Sequence, residues 1–465
     1  MRIGIDAGGT FTDFLVLQDD GRIESFKLRS NPRDPASVIL AGLEKAAGKR
    51  RVEVVHGSTV ATNALLERKG ARTALVTTSG FEDVVRIGRQ NRSQLYVLNP
   101  PPRRHLIDDD SSFGVNERVH FDGEVSATPG QSELRRLRSA LKDYESVAIC
   151  FLHSYQNPEN EQIAAEALAG EYYLCASHEI CPEFREFERT STTLLNAYVG
   201  PLMDRYLQTL EAGTKCPIAI MQSNGGLITA SEARHQAVRT LLSGPAGGVV
   251  GAIGTGLLSG FDQVLGFDMG GTSTDVSLCQ GTPRITMEAS IEGFPIRVPI
   301  LDIHTVGAGG GSIARVDDGG LLRVGPESAG ADPGPACYGI GTRATVTDAH
   351  VVLGRIVPDQ FLGGAMPIDT ARARTAVEEV GAQLGLTVEK AAQGILRVAN
   401  ANMERAIRVV SVERGYDPRD FALLAFGGCG GLHACEIATE LGCVRQTVDR
   451  KLQVIRQIWD GERGP

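Results

Sequence analysis

Two stretches of the chain repeat one arrangement of acid, glycine and hydroxyl residues. Gly4-Ile5-Asp6-Ala7-Gly8-Gly9-Thr10-Phe11-Thr12-Asp13 and Gly266-Phe267-Asp268-Met269-Gly270-Gly271-Thr272-Ser273-Thr274-Asp275 share the frame Asp-x-Gly-Gly-Thr-x-Thr-Asp. Residues without a Cβ let backbone N–H groups come close to a phosphate, and the hydroxyls of Thr10, Thr12, Thr272 and Thr274 add donors. The carboxylates then serve a hydrated Mg²⁺ rather than the phosphate itself, Asp6 with Asp13 in the first copy and Asp268 in the second. One copy alone reads equally well as a plain β-hairpin. Two copies point to two halves facing one ligand.

Three further glycine-rich turns follow strands or open helices. Asp302 and His304, two apart on a strand read over 300–306, share one face at the mouth of the loop 307–312, which contains Gly309 and Gly310. That placement suits contact with a reacting group or an acid–base pair; a hydrogen-bonded structural histidine at a strand end is the alternative. Gly427, Gly428 and Gly430 lie between a strand and a helix, an order that can receive the sugar and base of a nucleotide. Ser243–Gly248 opens a helix whose positive end can face a ligand, or whose small residues simply pack. Gly48-Lys49-Arg50 is not a Walker A loop, because no Ser or Thr follows the lysine.

The elements needed to position these residues alternate between strand and helix. Apolar runs 2–6, 11–17, 52–56, 71–77, 146–152, 218–221, 264–267 and 421–426 read as strands. Helices are expected over 34–48, 131–144, 158–168, from 188 onward with an interruption at Gly200-Pro201, from 369, and from 388 to 414 with Ile395, Val398, Ala399, Ala406 and Val410 on one stripe. Ser58 and Thr59 read as caps of the next helix. The Gly- and Pro-dense stretch 325–341 reads as a long ordered loop.

At 465 residues the chain is long enough for two or three domains. A net charge of -9 argues against nucleic acid as a main partner. Nine scattered cysteines, an odd number without a CxxC pair, read as reduced thiols in the cytoplasm. No apolar run reaches the length of a membrane span, and the start of the chain carries no leader pattern, so a soluble intracellular protein without a membrane partner is expected.

Taken together, the two hairpins and the glycine turns resemble the actin-like ATPase superfamily. Longer phrases carry a closer likeness: His56–Arg68, Asn196–Pro201, Met221–Gly226, Ser243–Gly248, Asp302–Ser312 and Ala331–Tyr338 are similar to the hydantoinase A and 5-oxoprolinase family, over nearly the whole chain to about Gly442. The resemblance implies an α/β, actin-like (ribonuclease H-like) fold of two lobes with an ATP cleft between them. It divides the chain into an N-terminal region (1–180), an ATPase region (190–443) and an atypical tail (444–465). It also implies ATP and Mg²⁺ as cofactors, phosphorylation of the oxygen of a cyclic amide before ring opening, and a B-type subunit completing a hetero-oligomer. Asp6, Gly8, Gly9, Thr10, Asp268, Gly270, Gly271 and Thr272 would then hold phosphates and Mg²⁺, Gly427–Gly431 the adenosine, and Asp302 and His304 the reacting end.

The chain departs from the family in two places. Cys429 and Gly431 stand where the family ordinarily has Ala and Pro, and residues 444–465 match nothing the resemblance implies, which reads as a truncated or frame-shifted end that leaves apolar surface uncovered. Two alternatives stay open beside the amide hydrolase: a subunit of the acetone or acetophenone carboxylase type, which phosphorylates a ketone and bicarbonate, and an ATP-binding scaffold without chemistry of its own.

Overall fold

A computed structural model describes residues 1–443 apart from 9, 10, 32, 49, 92–95, 100–103 and 365. The expectations for Gly9, Thr10 and 444–465 therefore lie outside the described residues. The chain forms two compact units, one of Met1–Gly247 with Ile285–Leu301 and the other of Gly248–Arg284 with Asp302–Pro465.

In the first unit a six-stranded sheet runs in the order Leu227–Thr229, Ile218–Met221, Glu53–Ser58, Arg2–Ala7, Phe11–Leu17, Ile23–Arg29. Arg2–Ala7 pairs antiparallel with Phe11–Leu17 and parallel with Glu53–Ser58. Alternation does the sorting: Ile3, Ile5, Ala7, Phe14 and Val16 point into a core shared with Ile39 and Leu43 of the helix Pro35–Ala47 and with Leu207 and Leu210. A second, wholly parallel sheet runs Tyr173–Ala176, Ser146–Cys150, Thr73–Thr78, Ser112–Val115, and its two central strands are buried along their whole length.

The expected interruption at Gly200-Pro201 does not occur. Glu186–Gly213 is one helix of 28 residues with Pro201 inside it. Pro201 cannot donate to the carbonyl four residues back, that of Ala197. Ser146 Oγ donates to that carbonyl at 2.6 Å instead. Ser146→Ala should therefore leave a buried acceptor unpaired and lower stability by about 1–3 kcal/mol in a denaturant titration.

In the second unit the sheet runs Thr282–Pro283, Thr274–Gln280, Gln263–Met269, Ala422–Phe426, with Ile303–Val306 also paired along Thr274–Gln280. The helix Val388–Val410 covers it with Ile395, Ala399, Met403, Ala406 and Val410. It ends before Arg414, because Val412–Arg414 tightens into a 3₁₀ turn closed by Gly415 at φ 82°. The stretch read as a loop from 325 begins as strand Leu322–Ser328, and its remainder is fixed by the buried Asp348 carboxylate, which accepts from Ala336 N and Cys337 N at 3.1 and 2.8 Å. Among the described residues no helix is long and apolar enough to cross a membrane.

Candidate functional site

The second hairpin is closed by Gly270 N donating to Ser273 O at 3.0 Å, leaving Gly271 and Thr272 exposed at the tip. Register places Asp268 opposite Asp275, and Asp275 opposite Thr305, so these three side chains share one face of the sheet. Thr305 Oγ1 donates to Asp275 at 2.6 Å. Burial raises the Asp275 carboxyl above its ordinary value and this hydrogen bond opposes the shift. Thr274 is fully buried and its hydroxyl donates to Ala308 O at 2.5 Å, which leaves the hydroxyls of the exposed Thr272 and the half-buried Ser273 at this tip.

Two glycine elements of the same unit hold this hairpin in place. Gly310 N and Gly311 N donate to the carbonyls of Gly270 and Gly271 at 3.0 and 2.6 Å. A Cβ on Gly309 would lie 2.6 Å from Gly271 C, and one on Gly310 would lie 2.5 Å from Cys429 Sγ. Gly309 and Gly310 are buried; Gly309 closes on the hairpin tip at Gly271, and Gly310 on Cys429 and Thr347. Ala422–Phe426 runs parallel with Asp268 opposite Phe426, and Gly427 then turns at φ 78°. A Cβ there would sit 2.3 Å from Asp268 Oδ1, so only glycine fits.

The helix Gly427–Glu440 starts without a side-chain cap, and Gly427, Gly428 and Gly431 are exposed. Its first N–H groups are open to an anion. Gly430 is buried on Phe267. Gly248 borders the same carboxylate: a Cβ there would lie 3.5 Å from Asp268 Oδ2 and 2.9 Å from the Phe426 ring. Tip, uncapped helix start and Gly248 thus converge on Asp268, in a cradle that side chains would fill.

The first hairpin repeats this design in its own unit. Asp6 lies opposite Asp13, which pairs with Lys27 at 2.7 Å. Asp6 keeps an open face to solvent, yet the protein atoms packed around its carboxyl, and then the neighbouring Asp13 charge, raise it above its ordinary value against the pull of Lys27. Gly8 N donates to Phe11 O at 3.1 Å. Thr12 is buried and hydrogen-bonds Ser30, which donates to Gly8 O at 2.7 Å, so Thr12 braces its hairpin as Thr274 does the other. Thr59 makes no cap bond; its hydroxyl donates to Ala7 O at 2.8 Å and holds the end of the hairpin strand.

The continuous strand expected over 300–306, carrying Asp302 and His304, is corrected by the structure. The strand breaks at Asp302 between Ile300–Leu301 and Ile303–Val306. Asp302 is ion-paired with Arg414 and lies 3.9 Å from Arg284, which holds its carboxylate in place. His304 is opposite Val276, on the sheet face turned away from Asp268 and Asp275. His304→Ala should accordingly change ATP turnover by less than about tenfold, where loss of a general base would take ~10²–10⁴; ADP release at saturating ATP measures it. Nothing in the sequence singles out Thr305 or Asp348, whereas Gly248 falls in the Ser243–Gly248 stretch read as a ligand-facing helix start; an acid opposite a hydroxyl in register becomes visible only once the strand pairing is known.

Among the described residues no cluster of three or more His, Cys, Asp or Glu side chains could hold a metal ion. The family model for hydantoinase/oxoprolinase matches residues 189–456, and that for the hydantoinase/oxoprolinase N-terminal region matches residues 2–172. The first match extends to residue 456, past residue 444, where the sequence reads as departing from the family.

Caprolactamase subunit alpha of Pseudomonas jessenii is 38% identical over 95% of this chain and 67% of its own length. The 5-oxoprolinase 1 of Arabidopsis thaliana is 36% identical over 97% of this chain and 40% of its own. The crystal structure of the ATP-dependent caprolactamase from Pseudomonas jessenii superposes with a TM-score of 0.84 at 37% identity, covering 95% of this chain and 68% of that one. A nucleotide-free acetone carboxylase, with a TM-score of 0.79 at 30% identity, covers 95% and 67%. The chain thus spans about two thirds or less of the proteins it matches here. The α/β fold is of the actin-like ATPase type.

Proposed function

The chain belongs to the hydantoinase/oxoprolinase family, and from that membership we propose that it is the ATP-binding component of an ATP-dependent cyclic-amide hydrolase. The observation that carries this reading is the convergence on Asp268 of an exposed Gly-Gly-Thr tip, an uncapped helix start and Gly248. Bound ATP supplies a transferable phosphoryl group, which makes an unstrained amide carbon electrophilic and gives its oxygen a way to leave. The chain's own part is positioning and charge neutralisation. The Gly271–Thr272 tip and the first N–H groups of Gly427–Glu440 donate to phosphate oxygens, and the glycine loop 307–311 holds the tip in register with them. A hydrated Mg²⁺ needs only one or two carboxylates; Asp268 is proposed for that role in the second unit, and Asp6 is the corresponding carboxylate of the first hairpin.

A partner of the hydantoinase B type would complete ring hydrolysis, which the subunit designations of relatives such as caprolactamase subunit alpha support. The same reading puts the protein in the cytoplasm, where ATP and reduced thiols are kept. A second reading rests on the acetone carboxylase structure: a subunit that activates a ketone and bicarbonate by phosphorylation. ATP turnover with hydantoin, 5-oxoproline or acetone, with and without a co-expressed B-type subunit, separates the two. Turnover raised by a cyclic amide supports the first, turnover raised by acetone with bicarbonate supports the second, and neither response leaves a nucleotide-binding scaffold.

A further inference from the structure

Beyond the glycine-lined site, the second unit contains a cavity of about 810 Å³ between the strand pair Ser312–Val316 and Leu322–Ser328 and the helix Val388–Val410. Its floor includes the aliphatic side chains of Leu322, Val324 and Val398. Its charge is one-sided: Arg315, Arg323, Arg397 and Arg405 line it, against the single carboxylate of Asp317.

Two features of the chain put these cations there. Arg397 and Arg405 are eight positions apart on the helix, so they lie on one stripe, with the small Ala401 between them opening the helix surface. Arg315 and Arg323 are direct cross-strand partners, a like-charge pairing that disfavours the sheet. Asp317 neutralises Arg323 at 2.8 Å. Among the described residues Arg315, Arg397 and Arg405 have no ion-pair partner, in a chain whose net charge is -9. These arginines are exposed on two facing walls of an open groove, where solvent screens their mutual repulsion, and their planar forks match carboxylate and phosphate oxygens.

We propose that this cavity is a second ligand site, separate from the Asp268 cradle, for a small polyanion carrying at least two carboxylate or phosphate groups. Its volume suits a metabolite-sized molecule, and its aliphatic floor accepts the carbon skeleton between the charged ends. Gly307 lines it, only two residues from the Gly309–Gly311 segment that braces the second hairpin, so occupancy bears directly on the loop behind the phosphate tip.

The test is isothermal titration of the full chain with inorganic pyrophosphate and with citrate, at constant ionic strength set by chloride. Three proteins are compared: wild type, Asp268→Asn, and the double variant Arg397→Gln with Arg405→Gln. Wild type and Asp268→Asn are expected to bind at least one of the two anions, pyrophosphate identifying a phosphate ligand and citrate a carboxylate one. The double variant should bind roughly 100-fold more weakly, about tenfold for each charge-assisted contact removed. Arg315→Gln on the facing wall gives the same reading if the helix variants fail to fold. Unchanged affinity in the arginine variants, loss of binding in Asp268→Asn, or binding of an oligoglutamate peptide but of neither small anion would each overturn the proposal.

Discussion

Asp268→Asn is expected to reduce ATP turnover by about 10²–10³-fold while leaving the melting temperature within a few degrees of wild type. The substitution keeps the shape of the side chain and removes one charge. That charge lies where the exposed Gly-Gly-Thr tip, the uncapped start of Gly427–Glu440 and Gly248 meet. Phosphoryl transfer draws most of its acceleration from fixed charges and from cations held against the transferring group, so a carboxylate that anchors a hydrated Mg²⁺ has a large effect on rate and a small one on folding. Asp275→Asn serves as the internal comparison. Asp275 is already engaged by Thr305 at 2.6 Å and should cost less than about tenfold, because an amide oxygen still accepts that bond. ADP release by both variants at saturating ATP decides the matter; equal losses would mean that the sheet face as a whole, rather than Asp268, supports turnover.

The second large effect is on stability. Glu161 is completely buried in the first unit and accepts four hydrogen bonds, from Phe151 N at 2.9 Å, Ser177 Oγ at 2.6 Å, His178 N at 2.9 Å and His178 Nδ1 at 2.7 Å. Burial by itself pushes this carboxyl upward. The donors from His178, Ser177 and the two backbone amides more than offset that push and hold it below its ordinary value. The bond to Glu161 in turn lifts His178 above its ordinary value, against desolvation. Glu161→Ala removes one partner of a buried pair and strands the others, and should cost about 3–5 kcal/mol in a denaturant titration.

The pH dependence has a definite sign on each side. The contribution of Glu161 is complete above the ordinary carboxyl value of 4.5 and drains as pH falls through its lowered value. That of His178 is complete below 6.5 and drains as pH rises through its raised value. The stability difference between wild type and Glu161→Ala should therefore be greatest between those two limits and shrink outside them. A difference that stays flat from strongly acid to mildly alkaline pH would show that the pair is not ionised in the folded protein.

Much of the site is legible in the amino-acid sequence alone. The repeated Asp-x-Gly-Gly-Thr frame locates both hairpins, and the strand-glycine-helix order locates the turn at Gly427, where a Cβ would meet Asp268. What is not legible depends on pairing register and on contacts distant in sequence. Thr12 and Thr274 read as phosphate donors, but burial gives their hydroxyls to Ser30 and to Ala308 O. Residues 300–306 read as one unbroken strand, whereas the strand divides at Asp302, where the chain passes from one compact unit to the other. Pro201 reads as a helix break because its remedy, the hydroxyl of Ser146, is contributed by a strand more than fifty residues earlier in the chain. The arginine-lined cavity has no local signature, because its walls are a strand pair and a helix that only the fold brings together.

The most direct measurement follows the amide oxygen. With a cyclic amide labelled with oxygen-18 at its carbonyl, and the chain assembled with a B-type subunit, phosphorylation joins the labelled oxygen to phosphorus. Water adds to that carbon, and the C–N bond breaks with a proton going to the nitrogen, which opens the ring as an acyl phosphate. A second water attacking the same carbon expels the labelled oxygen with the phosphate. The account predicts one labelled oxygen in the inorganic phosphate for each ring opened, with both ring opening and labelled phosphate lowered about 10²–10³-fold in Asp268→Asn. Ring opening that leaves the label entirely in the carboxylate product would contradict it.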